Sequence, residues 1–486
     1  MEYTCDVVVV AAGPSGLAAA ITAAENDCKV IVLEKNNVAG GSANMAMGPL
    51  GIDTSQQKRE LSTITVEKAF NMFMEYTHWR VDAQLVKKYF EKSADTIEWL
   101  QDMGVQFYKA SKFFPGSEAT WHIVQPEDGK PGPRAAGTMI KRMMERAQEL
   151  GILILTQTPA HKILMKDGKA VGVIAKNEKG ELVTVYAGAI VIATGGFGNN
   201  PEMMKEVSSI EYGKNYFGIR VPALMGDGIR MAWEAGAGRS DINVEINLGI
   251  FGEDNFNIKT AFYQPNLMVN KNGERFFNEG KIENGTYAGN ACRTQPECFG
   301  LMVIDENIKN IYARKGVDFM SLVFTQEKLE KKLFEEDMQE ALKRKSESLF
   351  VANTLEELAD LAGIRKETFL ETVEDYNEMC KGGRDSLFYK EPQYMRPIRK
   401  GPFYAAKMRP GGYGTLGGIK VNHRMEVVTD DWKVIPGLYG AGTDTCSIYG
   451  DSYMFLLPGN TMGYALNSGR IAGENASDYL EQCSAQ

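Results

Sequence analysis

The segment that most constrains this chain is the run VVVVAAGPSGLAAA at residues 7–20. Its four consecutive valines predict a buried β-strand, Gly13 to Gly16 predict a tight turn, and the small residues that follow predict a helix beginning at Leu17. Glycine at 13 lets the backbone approach a phosphate, and glycine at 16 lets the helix pack close to the strand. The helix N-terminus adds free N–H groups and a partial positive charge. The segment therefore predicts a nucleotide-binding βαβ unit.

The next apolar run, IVLE, ends in Glu34. A carboxylate at this distance from the glycine turn is typical of dinucleotide sites, where it binds the ribose hydroxyls of an adenosine. Ala11 departs from the usual G-x-G-x-x-G pattern, because alanine is strained at the positive φ that a glycine there would adopt without cost. The segment predicts a dinucleotide site, and the plainer alternative is an ordinary βαβ unit whose glycines serve only packing.

Composition excludes several classes of protein. The chain has 486 residues and a net charge of −9, so it can bury a large core and offers no basic face for nucleic acid. It has no uninterrupted apolar run of about 18 residues, which predicts no membrane span, and its start does not resemble a signal peptide. Its seven cysteines show no C-x-x-C spacing and its four histidines are scattered. This usage predicts reduced thiols, a cytoplasmic location and no metal site.

Three further glycine-rich segments follow along the chain. They are GGSANMAMG from Gly40, GAIVIATGG at 188–196 and VIPGLYGAGTD at 434–444, and PGNTMGYALNSGRIAG at 458–473 comes after the last of them. Taken singly, each segment is consistent with a plain turn between a strand and a helix. Their glycines would also let backbone N–H groups approach a phosphate or the edge of a ring.

In this order the segments resemble flavoproteins of the fumarate reductase/succinate dehydrogenase family, which also contains ketosteroid dehydrogenases. GDGIRMAWEAGA at 226–237 and MVNKNGERFFNE at 268–279 resemble family segments too, so the resemblance covers essentially the whole chain. It implies FAD as the cofactor and an α/β fold. A doubly wound, Rossmann-like FAD-binding domain is expected from residues 1–245 and 405–486. An inserted α+β capping domain that carries part of the substrate site is expected from residues 246–404.

The resemblance also implies which residues hold FAD. The glycine turn is expected near the pyrophosphate, the end of the second strand near the adenosine ribose, and the N-terminus of the last helix near the isoalloxazine ring. That helix N-terminus can stabilise negative charge on the reduced flavin. The predicted cofactor-binding set is Gly13, Ser15, Gly16, Glu34, Lys35, Gly41, Ser42, Thr194, Gly195, Gly442, Asp444, Gly459, Asn460 and Thr461.

The substrate site departs from that of fumarate reductases, which clamp a dicarboxylate with histidines and arginines. Glu283 stands where the resemblance places the proton-delivering arginine. The segment 414–418 lacks the family's histidine, and the segment 456–460 lacks its arginine. Binding of two carboxylates without guanidinium groups is physically implausible, so fumarate and succinate are rejected as substrates.

Aromatic residues stand in place of those charged groups. Such a wall suits a flat, hydrophobic, oxygenated ring system, and a tyrosine can donate a proton beside a flavin that donates hydride. The alternative for each tyrosine is ordinary packing. The predicted catalytic residues are Tyr413, Tyr449, Asp451 and Tyr453, and the predicted substrate-contacting residues are Met454, Phe455 and Glu283.

A narrower resemblance, to the tetrahydrodaidzein reductases of equol-forming gut bacteria, implies reduction of a 4-hydroxyisoflavan to the isoflavan. Two alternatives stay open: a ketosteroid dehydrogenase or ene-reductase, and a flavoprotein electron carrier without a substrate of its own. No second nucleotide fingerprint follows the first. Electrons are therefore expected from an external donor or from a second substrate molecule.

Overall fold

The computed structural model describes residues 1–320 and 325–485 and divides the chain into two compact units. The first unit comprises Met1–Ser209, Arg220–Val244 and Tyr413–Gln486, and the second comprises Ile210–Ile219 and Glu245–Gly412. The assignment of an FAD-binding domain to residues 1–245 and 405–486, and of a capping domain to residues 246–404, stays a prediction.

The strands are numbered in chain order. They are β1 (Glu2–Val10), β2 (Val30–Leu33), β3 (Phe107–Ser111), β4 (Trp121–Val124), β5 (Leu153–Leu155), β6 (Ala160–Lys166), β7 (Lys169–Lys176), β8 (Leu182–Ile192), β9 (Asn243–Val244), β10 (Asn247–Gly249), β11 (Leu267–Val269), β12 (Gly300–Asp305), β13 (Leu349–Ala352), β14 (Phe403–Gly411), β15 (Thr415–Leu416), β16 (Glu426–Val428) and β17 (Val434–Gly440).

The α-helices are numbered in the same way, and short 3₁₀ helices lie between them, among them Gly41–Met45, Gly442–Thr445 and Ser447–Tyr449. The α-helices are α1 (Pro14–Glu25), α2 (Ser55–Arg59), α3 (Val66–Tyr76), α4 (Ala83–Asp102), α5 (Ala136–Glu149), α6 (Pro201–Ser208), α7 (Asp227–Glu234), α8 (Phe256–Phe262), α9 (Gly285–Arg293), α10 (Glu306–Lys315), α11 (Lys331–Lys343), α12 (Leu355–Ala362), α13 (Lys366–Gly382) and α14 (Asn460–Ser484).

The sheet of the first unit is built around β1, which pairs in parallel with β2 on one side and with β8 on the other. The strand order is β16-β17-β8-β1-β2-β5, and in addition β7 pairs antiparallel with β8 and β6 pairs antiparallel with β7. The four valines at 7–10 are fully buried, as expected of a parallel strand covered on both faces. The predicted mixed α/β fold is confirmed.

Helix α1 begins at Pro14, not at Leu17 as the sequence pattern predicts. Proline is well tolerated at the first helical position, because its missing N–H has no helical partner there and its φ is already helical. The helix packs against α14, where a Cβ added at Gly473 would lie 2.6 Å from the carbonyl oxygen of Ala19. Glycine in α14 therefore allows the two helix backbones to approach closely.

The second unit contains an antiparallel sheet in the order β10-β14-β12-β11, with β13 also paired to β14. Helices α8 to α13 lie between β10 and β14 in the sequence. Apolar side chains from the strands and helices of this unit form one buried cluster. Across both units, no helix of the described residues has the length and apolar character needed to cross a membrane.

Candidate active site

The turn that follows β1 has the strain expected from its sequence. Ala11 adopts a φ of 84°, and its N–H donates to the carbonyl oxygen of Leu33 at 2.8 Å. A Cβ at Gly16 would overlap the carbonyl oxygen of Ala11 and approach a methyl group of Val9. Position 16 therefore requires glycine, whereas position 11 tolerates alanine at a cost in backbone energy.

Replacement of Ala11 by glycine is expected to raise the free energy of unfolding by about 1 kcal/mol, because glycine adopts the left-handed conformation without strain. Thermal unfolding of the FAD-free protein measures this change. The matched control is Ala12→Gly. Ala12 is the next residue in the chain, is buried and has no positive φ, so its replacement by glycine should lower the stability of the protein. Equal destabilisation by both variants would contradict the assignment of strain to Ala11.

Gly13 and Gly41 border an open space at the start of α1. A Cβ built on Gly13 meets no atom within 4 Å, and one built on Gly41 meets only the Cα of Gly13, at 3.6 Å. No side chain caps α1, so its first backbone N–H groups are available to a ligand. Two glycines beside an uncapped helix N-terminus can cradle a phosphate group.

Glu34 lies next to this cradle and is almost fully buried. Its two carboxylate oxygens accept hydrogen bonds from the backbone N–H groups of Ala12 and Asn36, both at 2.7 Å. Each oxygen keeps a second lone pair that can accept a hydroxyl proton. The neighbouring Lys35 forms an exposed ion pair with Asp227, at 2.7 Å between Nζ and Oδ2. The carboxylate of Glu34 is thus oriented before any ligand binds.

Asp444 holds the glycine turn that follows β8. Its fully buried carboxylate accepts hydrogen bonds from the backbone N–H groups of Gly195, at 3.2 Å, and Gly196, at 2.6 Å, and from the hydroxyl of Thr194, at 2.9 Å. Burial raises the pKa of Asp444, and these hydrogen bonds oppose that rise. The carboxylate therefore fixes the shape of the turn, and its direct contact with FAD stays a prediction.

Gly442 joins this region to the first turn. Its φ is 72°, and a Cβ there would lie 2.5 Å from the hydroxyl oxygen of Ser15. Its N–H donates to the hydroxyl of Ser468 at 2.9 Å. The structure thus brings together the predicted residues Ser15 and Gly442 from opposite ends of the chain.

The first turn of α14 carries a hydrogen-bonded network. The Oδ1 of Asn460 accepts the hydroxyl protons of Tyr89 and Tyr449, both at 2.9 Å. The Nδ2 of Asn460 is buried and has no hydrogen-bond partner among the described residues. The backbone N–H and the hydroxyl of Thr461 both donate to the hydroxyl oxygen of Tyr453, at 3.1 and 2.8 Å.

Aromatic rings continue from this network as a cluster. Tyr449 and Tyr453 have ring centroids 4.9 Å apart, and Tyr453 and Phe455 have centroids 4.8 Å apart. Phe455 stacks on Phe113 at 5.4 Å with an interplanar angle of 22°. The structure therefore brings together three of the aromatic residues that the sequence places at the substrate site, and adds Phe113 from a distant loop.

The other predicted catalytic and substrate residues of the first unit differ in their exposure to solvent. Met454 is fully buried, and Tyr413 is 53% exposed. Asp451 forms an exposed ion pair with Arg80, at 2.9 Å between Oδ2 and Nη1. An exposed carboxylate paired in this way has an ordinary surface environment.

Comparison with known proteins identifies the chain. The sequence profile of the family described as "FAD binding domain" matches residues 6–461. The chain belongs to this FAD-binding family. It is 32% identical to the vinyl phenol reductase of Lactiplantibacillus plantarum, over 98% of this chain and 97% of the relative. It is 28% identical to a fumarate reductase (cytochrome) of Shewanella frigidimarina, over 99% of this chain and 78% of the relative.

The fold is shared with a 3-ketosteroid-Δ4-(5α)-dehydrogenase of Rhodococcus jostii RHA1, solved in complex with 4-androstene-3,17-dione. The TM-score is 0.77 at 24% identity, and the likeness covers 98% of this chain and 97% of the other. The predicted family is confirmed, and the protein is an FAD-dependent oxidoreductase.

The residues present fit FAD. The open space beside Gly13 and Gly41 has room for a pyrophosphate, and the preoriented carboxylate of Glu34 could accept ribose hydroxyls, so these cofactor roles stay predictions that the geometry fits. The amide NH₂ of Asn460, which has no partner among the described residues, offers a donor in the first turn of α14. When bound and reduced, FAD supplies a hydride from N5.

The second unit contains two carboxyl groups whose pKa burial raises. Burial raises the pKa of Glu245 to about 7, and no side chain of the described residues hydrogen-bonds to its carboxyl group. Burial also raises the pKa of Glu283, against the nearby charge of Lys281. A group whose pKa lies near 7 can exchange a proton at neutral pH.

Tyr89, like Phe113, belongs to the network around α14 and was not predicted from the sequence. It lies in the middle of α4, on a buried helical face between Val86 and Phe90. A tyrosine at that spacing is indistinguishable from a core residue in sequence. Its hydrogen bonds to Asn460 join positions 371 residues apart, so no local pattern could have indicated them.

Proposed function

We propose that this FAD-dependent oxidoreductase reduces a flat, hydrophobic phenol, with tetrahydrodaidzein, reduced to equol, as the preferred substrate. The observation that carries the proposal is the hydroxyl of Tyr453, held by Thr461 at the start of α14 inside an aromatic cluster. The similarity to a vinyl phenol reductase along nearly the whole of both chains supports a phenolic substrate. The missing arginine and histidine of the dicarboxylate clamp support it further.

Tetrahydrodaidzein, the preferred substrate of this proposal, meets one chemical requirement of the reaction. It has a phenolic hydroxyl para to the ring position that carries the reacting carbon. Loss of the phenolic proton, together with protonation of the leaving hydroxyl group in the isoflavanol, breaks the benzylic C–O bond and releases water. The resulting quinone methide accepts a hydride at the benzylic carbon, and the phenolate then regains a proton. Two electrons and two protons convert the alcohol to the isoflavan and water, so the reaction balances.

Tyr453 is the proposed donor of the proton to the leaving hydroxyl group. Its oxygen accepts two hydrogen bonds from Thr461, which stabilise the phenolate that remains after proton transfer. Tyr449 is less suited to this role, because its hydroxyl donates to Asn460 and burial raises its pKa well above the ordinary value. Electrons would come from an external donor or from oxidation of a second substrate molecule.

Replacement of Tyr453 by phenylalanine is expected to slow reoxidation of the reduced flavin by tetrahydrodaidzein about 100-fold, because it removes the acid. The flavin should stay bound, since phenylalanine keeps the ring contacts. Anaerobic stopped-flow absorbance measures the rate, and mass spectrometry checks loss of one oxygen. Tyr449→Phe, the comparison variant, should slow the step no more than about tenfold because it acts through Asn460.

A substrate panel separates this proposal from its alternatives. Reoxidation of the wild-type protein by a 4-ene-3-ketosteroid but not by the isoflavanol would assign it to steroid chemistry. Reoxidation by a vinyl phenol alone would keep the phenolic class and exclude the isoflavanol. Slow reoxidation by every small molecule, with fast exchange with a redox protein, would indicate an electron carrier. A Tyr453→Phe variant at full rate would refute the acid assignment.

A further inference from the structure

Tyr89 connects α4 to the first turn of α14. Its hydroxyl lies 3.1 Å from the carbonyl oxygen of Asn460 and 2.9 Å from the Oδ1 of the same residue. The ring is fully buried and packs edge-to-face on Tyr464, at 5.5 Å between centroids. Burial raises the pKa of Tyr89 well above its ordinary value, so its hydroxyl remains a donor at every working pH.

The two phenols leave the amide of Asn460 in one orientation. Tyr89 and Tyr449 both donate to Oδ1, which directs the NH₂ group to the other side of the side chain. That NH₂ group is buried and finds no partner among the residues that the structure describes. An unmade hydrogen bond of this kind is costly, so it indicates a ligand that completes the network.

Contacts of Gly459 also fix the backbone where α14 begins. Gly459 has a φ of 81°, and its carbonyl oxygen accepts a hydrogen bond from the N–H of Leu50 at 2.7 Å. A Cβ at Gly459 would lie 2.6 Å from the Trp121 ring. The helix runs for 25 residues from this point, so its first N–H groups carry a partial positive charge.

We propose that Tyr89 is a positioning residue for the flavin: it fixes the Asn460 amide and the first turn of α14, which then stabilise the reduced, negatively charged ring. The inference depends on FAD as the cofactor and not on the identity of the substrate. Tyr89 acts through Asn460 and needs no contact with the flavin. Its loss should therefore change the redox properties of the flavin before it changes the fold.

The test is Tyr89→Phe, which removes one hydroxyl and keeps the ring. We expect about a tenfold loss in the preference of the protein for reduced over oxidised flavin. A tenfold loss in the relative affinity for reduced flavin lowers the midpoint potential of this two-electron couple by about 30 mV. Spectroelectrochemistry on the FAD-loaded protein measures the potential, and flavin fluorescence measures the dissociation constant of oxidised FAD.

The matched control is Tyr439→Phe. Tyr439 is also buried, and its hydroxyl donates to the carbonyl oxygen of Asn475 on the same helix, at 3.0 Å and about four turns further along. This variant should lose stability without changing the potential. If Tyr89→Phe loses stability equally and keeps the wild-type potential, the tyrosine is only structural and the proposal fails. If Tyr89→Phe does not fold, Tyr449→Phe, which removes the other donor to Oδ1, must lower the potential for the proposal to stand.

Discussion

Replacement of Gly13 by alanine is expected to weaken FAD binding about 100-fold, equivalent to ~2.7 kcal/mol, because the new methyl group would occupy the space predicted for the pyrophosphate. The FAD-free protein should keep its stability. The φ of Gly13 is −73°, which alanine adopts freely, and its Cβ would meet no protein atom within 4 Å. Equilibrium titration of the FAD-free protein with FAD measures the dissociation constant, and thermal unfolding measures stability.

The chain offers a matched control in Gly137, at the start of α5. A Cβ at Gly137 also meets no protein atom within 4 Å, and its φ is not positive. Gly137→Ala should therefore raise helix stability slightly and leave the affinity for FAD unchanged. Wild-type affinity in Gly13→Ala would place the pyrophosphate elsewhere. A loss of affinity in both variants would show that the effect is not local to the turn.

The sequence predicts the strand, the glycine turn and the backbone strain after β1 well, because their determinants are local. The buried strand, the turn and Glu34 lie within 28 residues, and the positive φ of Ala11 follows from its place in the glycine pattern. The helix start was wrong by one turn, because the pattern of small residues begins after Pro14 whereas the backbone turns there. Short-range sequence patterns predict that a helix or strand is present more accurately than they predict the residue at which it begins.

The surroundings of the proposed acid could not be predicted, for a physical reason. Phe455 and Asn460 lie near Tyr453 in sequence, but their partners Phe113 and Tyr89 come from segments more than 300 residues away. Sequence spacing indicates neither partner, because both residues also satisfy an ordinary hydrophobic pattern. The same limit holds for Asp451, whose exposed pairing with Arg80 depends on packing between distant segments.

Replacement of Arg275 by methionine is expected to lower the free energy of unfolding of the second unit by about 3–5 kcal/mol. The guanidinium is buried and donates to both oxygens of Glu279, at 3.0 and 2.8 Å, and of Asp385, at 3.1 and 2.8 Å. Burial alone would raise the pKa of Asp385, but Arg275 and backbone N–H groups hold it well below the ordinary value. Methionine fills the volume and leaves two buried carboxylates without their counter-charge.

Within the part of the chain that the structure describes, one further cation, Lys390, contacts this cluster, and its ammonium cannot make the forked contacts of a guanidinium. The Nζ of Lys390 is 3.5 Å from Glu279 and donates to the hydroxyl of Tyr376 at 3.0 Å, and burial lowers its pKa. Chemical unfolding followed by tryptophan and tyrosine fluorescence measures the loss, and bound-flavin absorbance reports separately on FAD retention.

Two further variants separate charge from packing. Arg275→Lys should lose part of the stability, because an ammonium cannot make the forked contacts. Adding Asp385→Asn to Arg275→Met should recover part of the loss, because one uncompensated charge is removed while most of the volume is kept. If the double variant is no more stable than Arg275→Met, the loss comes from packing, and the carboxylates are not the cause. In that case, acidification should not restore stability to Arg275→Met. If charge is the cause, acidification that protonates Asp385 should restore stability to the variant relative to the wild type, because its pKa is no longer held down.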